Sequence, residues 1–138
     1  MSENFAASAA AEPDPLPEEE VFAVLGEEGF GKFVGIFYRE MRKDDLIGPM
    51  YPQDDWDGAE KRMRDFLIFR FGGSSRYIEE RGHPRLRGRH MPFAIGEKER
   101  DRWLELMDGA LREAETDRRA AATLRAFFAP VADFMRNQ

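Results

Sequence analysis

The chain has 138 residues, a formal charge of −6, 42% hydrophobic residues with 12 phenylalanines, two histidines and no cysteine. That is one domain by size, and it carries no apolar run near the roughly 20 residues a membrane span needs. The missing cysteines exclude disulfides, thiolate metal sites and iron–sulfur clusters, and the acidic balance argues against a general nucleic-acid binder.

The first sixteen residues, rich in Ala, Ser, Glu and Pro, lack the basic start and apolar segment of a secretory signal. They read as a disordered tail, residues 1–16, ahead of a domain over residues 17–138 in a cytoplasmic protein. A short first helix is expected from Pro17, with Glu18, Glu19 and Glu20 favouring its N-terminal dipole. The next is expected from about Phe30 to Arg42. There Phe30, Phe33, Val34, Phe37, Tyr38 and Met41 follow the helical rhythm of one buried face, which turns Tyr38 inward.

Gly48, Pro49 and Pro52 place Met50 and Tyr51 in a turn, because proline disfavours helix at the residue before it. Asp54, Asp55 and Asp57 supply cap candidates for a helix with Ala59, Met63, Phe66 and Leu67 on one face, stopped by Gly72 and Gly73. Pro84 and Pro92 bracket a brief helix on which Leu86 and His90 share a side. Two long amphipathic helices follow, from about Glu97 to Ala114 and from about Asp117 to Met135. Pro130 should kink the second. No strand signal and no internal repeat is found, so the class is all-α.

Both histidines fall in one fifteen-residue segment, RGHPRLRGRHMPFAI, from Arg81 to Ile95. A lone helical histidine is more often a capping or packing residue, yet an imidazole beside an apolar slot is also a candidate axial ligand for iron. His83 precedes Pro84 as a cap or surface residue. His90 is followed by Phe93 and Ile95, which can pack on a flat apolar cofactor. Two histidines without cysteine make a poor zinc site, and no glycine-rich phosphate loop follows a strand. The abundant carboxylates fall on predicted solvated faces and caps.

Read in order, Tyr38, the run MYPQDDWDGAEKRMRDFL, the Gly72-Gly73 stop, RGHPRLRGRHMPFAI and the helix holding Trp103 resemble a group II truncated haemoglobin. The resemblance runs from about Val21 to the C-terminus. It implies a two-over-two sandwich of helices around non-covalent haem b, with a much reduced first helix. His90 would be the iron ligand, and Tyr38, Tyr51 and Trp103 the polar residues around the bound gas, with Ala59 and Met63 nearest the iron. Leu86, Phe93, Ile95 and Phe66 would contact the porphyrin, and Arg89, Arg62 and Tyr77 would meet its propionates, since guanidinium pairs well with carboxylate.

The function so implied is reversible binding of oxygen, carbon monoxide and nitric oxide, for oxygen binding, storage or transport, by a monomer or homodimer. The alternative is an enzyme, a nitric oxide dioxygenase or peroxidase, dependent on an external reductase because the chain has no flavin or nicotinamide domain. A haem-free helical interaction module is the third reading. The chain departs from the family pattern at Gly26 and Gly29, which two glutamates separate where the family often has an adjacent glycine pair, leaving that turn's geometry open.

Overall fold

The computed structural model describes residues 13–73 and 95–136. Among these, four helices and two short 3-10 turns account for the regular structure, and no strand occurs. The helices are α1 (Val21–Lys43), α2 (Trp56–Arg70), α3 (Glu97–Glu113) and α4 (Arg118–Phe134). α1 packs on α2 and α3 packs on α4, while α1 also contacts α3 and α4, which joins the two pairs into a sandwich.

The periodicity in the first half of the chain is realised as burial. Phe30, Phe33, Val34, Phe37 and Met41 are fully buried on α1, and Tyr38 is 4% exposed. Each such side chain contributes roughly 1.5–3 kcal/mol of transfer free energy. The expected pair of helices here is one helix with a sharp corner. Gly26 alone leaves the helical region, at φ 67° and ψ 176°, a conformation open in practice only to glycine. The second segment therefore starts just after Gly26 rather than at Phe30, with Glu27 and Glu28 placed where a helix start favours negative charge. Gly29 serves the same corner differently: a Cβ there would lie 2.9 Å from the Leu25 Cβ. The separated glycines thus divide the work, one turning the backbone and the other allowing close approach.

α2 stops at Gly72, as expected. The glycine takes φ 99°, the Gly73 amide donates to the Ile68 carbonyl at 2.7 Å, and a Cβ on Gly72 would meet the Glu19 carbonyl oxygen at 2.8 Å. That stop is also a tertiary contact, because the Phe22 amide donates to the Phe71 carbonyl at 3.1 Å. At the start of α3, Glu99 accepts from the Gly96 amide at 2.8 Å. Asp117 caps α4 by accepting from the Ala120 amide at 3.0 Å. Pro130 lies inside α4, which continues past it to Phe134.

The chain is held to α4 before Pro17. Leu16 is 9% exposed, its amide donates to the Arg119 carbonyl at 3.3 Å, and the buried Thr123 hydroxyl donates to its carbonyl at 2.6 Å. Residues 1–12, the greater part of the expected tail, lie outside the described residues.

The aromatic residues form a continuous path through the interior. Phe30 packs near Phe71 (6.3 Å between ring centroids), Phe71 on Phe127 (5.1 Å), Phe127 on Phe128 (5.5 Å), and Phe128 on Trp103 (5.5 Å). Trp103 then meets Phe37 edge-on at 5.0 Å, and Phe37 meets Tyr38 at 5.4 Å. These offset and edge-on arrangements suit the ring quadrupoles. They tie α4 to α3 and α3 to α1, and they lead to the cluster of polar aromatics.

Candidate functional site

Three elements converge at the end of that path. α1 presents Tyr38 from its buried face, the turn after the 3-10 helix Gly48–Met50 presents Tyr51, and α3 presents Trp103. The Tyr38 and Tyr51 rings meet edge-on at 6.0 Å. The turn that holds Tyr51 is built from polar contacts to its backbone. The Asp44 carboxylate accepts from the Leu46 and Ile47 amides at 3.0 and 2.9 Å, and Arg102 of α3 lies 3.4 Å from the other Asp44 oxygen. The Gln53 amide donates to the Gly48 carbonyl at 3.1 Å and to the Tyr51 carbonyl at 2.7 Å. Gly48 fits because it lacks a side chain, since a Cβ there would lie 2.8 Å from the Met41 carbonyl oxygen.

The polar atoms of the cluster act on one another: the Trp103 indole and the Tyr38 phenol both lie close enough to the Tyr51 phenol to lower its pKa. Burial pushes the Tyr38 pKa well above the usual tyrosine value, the nearby Tyr51 phenol adds to this, and Arg62 opposes it. Burial also raises Tyr51, and Trp103 and Tyr38 work in the opposite direction. Both phenols are neutral at ordinary pH.

Trp56, the first residue of α2, belongs to this cluster and was not singled out from the sequence. It is 6% exposed, stacks on Tyr51 at 5.3 Å and 22°, and meets Tyr38 at 6.4 Å. Its position at a helix start places it outside any periodic stretch, so spacing gave no signal. The available signal was its residue type, a large aromatic beside Asp54 and Asp55, where a buried ring needs a partner.

The other expected residues divide into three groups. Ala59 is 7% exposed and joins the core with Tyr38, while Met63 and Phe66 pack against that core but stay partly exposed. Ile95 is 8% exposed. Arg62 pairs with Asp55 at 2.9 Å, and Gly58 leaves room for that carboxylate. The Asp55 side chain makes no cap bond to α2. His90, Arg89, Tyr77, Leu86 and Phe93, together with the competing His83, lie outside the described residues.

Two stacked helix pairs around a cluster of inward-facing tyrosines and a tryptophan define a globin of the shortened, two-over-two kind. The Bacterial-like globin family model matches residues 20–137, and the chain belongs to that family, among its group II truncated haemoglobins. It is 38% identical over 90 residues to "Group 2 truncated hemoglobin YjbI" of Bacillus subtilis strain 168, covering 65% of this chain and 67% of that protein. Among solved structures, the haemoglobin of the thermophilic phototroph Chloroflexus aurantiacus is 39% identical with a TM-score of 0.82, covering 86% of this chain and 98% of that one. The truncated oxygen-avid haemoglobin from Bacillus subtilis is 31% identical with a TM-score of 0.80, covering 85% and 98%.

Proposed function

We propose that the chain is a cytoplasmic haem protein that reversibly binds diatomic gases, oxygen foremost, beside the Tyr38, Tyr51 and Trp103 cluster. The observation that carries this reading is the convergence of Tyr38, Tyr51 and Trp103, polar aromatics from three elements, in one cluster with the apolar Ala59, Met63 and Phe66. The described residues fit a haem. Ala59, Met63 and Phe66 offer an apolar face in the same cluster as the three polar aromatics, the combination that an apolar macrocycle carrying a polar gas requires. Family membership supports the same cofactor, and the relative described as oxygen-avid supports oxygen as the ligand.

When bound, haem supplies an iron with one coordination position open to a gas. His90 is proposed as the protein ligand of that iron. Leu86, Phe93, Ile95, Phe66 and Met63 would line the porphyrin, and Arg89, Tyr77 and Arg62 would meet the propionates, Arg62 by exchanging its hold on Asp55. Tyr38, Tyr51 and Trp103 would supply the hydrogen-bond donors to the gas. Ala59 keeps the approach open by being small, and Met63 fills space. A donor hydrogen bond costs the leaving ligand about 1–2 kcal/mol, which suits slow release, hence storage or sensing.

The test is a hemin titration of the full chain and of His90→Ala. One equivalent should bind the parent chain stably, and His90→Ala should lose stable uptake. Equal retention by both would reject His90 as the ligand.

A further inference from the structure

On the outer side of Tyr38, the groove between α1 and α2 opens into a cavity of about 400 Å³, within the range of small-molecule sites. Tyr38 and Trp56 form its buried wall, and Arg39, Arg42, Lys43 and Glu60 surround it. The cations are not equivalent. Arg39 is engaged by Glu113 and Glu40, each at 2.8 Å, and Lys43 lies 3.3 Å from Glu40. Arg42 has its guanidinium carbon 5.5 Å from the Trp56 ring centroid and no ion-pair partner among the described residues. Glu60 likewise has none, and its carboxylate leans into the space that Gly35 leaves, 3.5 Å from where a Cβ would stand.

One small cavity therefore carries a guanidinium and a carboxylate that do not pair with each other. An occupant that completes both must present anionic oxygens to Arg42 and a proton to Glu60. Sulfate offers only the first at neutral pH, and an ammonium group offers only the second. Hydrogen phosphate offers both, because inorganic phosphate keeps its last proton until far above neutral pH and guanidinium pairs with its other oxygens through two parallel hydrogen bonds. A phosphate monoester loses its last proton at about pH 6 and offers only the first.

We propose that this groove is a binding site for free hydrogen phosphate, distinct from the gas site and sharing with it only Tyr38 and Trp56. Arg42 is its principal anchor, Arg39 and Lys43 supply the surrounding positive field, and Glu60 selects the protonated oxyanion. The site depends on no cofactor, so it stands or falls separately from the haem reading.

The test is calorimetric titration of the purified full chain at constant ionic strength with inorganic phosphate, sulfate and glycerol phosphate, repeated on Arg42→Gln and Glu60→Gln. Phosphate should bind saturably, and sulfate about fivefold or more weakly. Arg42→Gln should weaken phosphate binding about tenfold or more, given the strength of charge-assisted pairs. Glu60→Gln should bring phosphate and sulfate to parity. Glycerol phosphate, which has lost its last proton at neutral pH, should bind more weakly than inorganic phosphate, and equal or tighter binding would overturn the proposal. Absence of saturable heat, equal binding of phosphate and sulfate by the parent chain, or an unchanged affinity in a folded Arg42→Gln variant would overturn the proposal.

Discussion

The Trp56 indole lies flat against the Tyr51 ring, 5.3 Å between centroids and 22° from parallel. One residue begins a helix and the other ends a turn, so this stack sets where the turn stands relative to α2. Its other contacts are the Tyr38 edge at 6.4 Å and the Arg42 guanidinium at 5.5 Å. Tyr51 is thus gripped three ways: by Trp56 on its face, by the edge contact with Tyr38, and by Gln53 at its carbonyl.

Removing the stack should cost stability. Trp56→Ala takes a 6% exposed ring out of the core and should destabilise the fold by about 3–5 kcal/mol, the range for a large aromatic truncated to alanine. Trp56→Phe keeps most of the contact and should lose much less. Denaturant unfolding of both variants checks this, and equal midpoints for Trp56→Ala and the parent chain would show that the stack carries no load.

The neutral phenol of Tyr38 gives the fold an alkaline limit. Its folded pKa is raised well above the ordinary 10.0, burial first and Tyr51 second. Between the unfolded and folded values, the unfolded chain has lost the proton and the folded chain has kept it, so unfolding is increasingly favoured as pH climbs. The stabilisation from burying Tyr38 neutral is complete below about pH 10 and is lost above it, through the folded pKa. Tyr38→Phe should flatten this decline. Unfolding free energies compared below and above that pH provide the measurement, and parallel profiles for the two proteins would contradict the assignment.

Trp103 should matter to ligand release more than to ligand entry. Its indole would donate to the bound gas, so Trp103→Phe removes one donor while retaining contact with Phe37 and Phe128. A loss of about 1–2 kcal/mol corresponds to a dissociation rate about fivefold to thirtyfold faster. Stopped-flow displacement of bound oxygen reads this rate, and an unaltered value would remove the proposed role.

What the sequence disclosed tracks what periodicity encodes. The α1 face was legible because six apolar or aromatic positions recur at helical spacing, and burial follows that spacing without exception. The Gly72 stop was legible because glycine at a helix end has one dominant use. The corner at Gly26 was visible only as two glycines out of register, since the pattern names a residue that can turn the chain but not which of two will do so. Trp56 escaped because the first residue of a helix has no preceding turn to define its face. Arg62 was legible as a cation facing the cleft, but its partner Asp55 lies across the helix start, a pairing set by the geometry of the turn. The family motif supplied His90, for which composition alone left a packing residue as the simpler reading.

The absorption spectrum of the dithionite-reduced full chain, recorded with and without carbon monoxide, tests the central claim most directly. A gas-binding globin should retain haem through purification or reconstitution, and its Soret band should sharpen and shift when carbon monoxide is added. A chain that remains colourless after exposure to hemin while keeping its helical fold, or a reduced spectrum that carbon monoxide leaves unchanged, would contradict it.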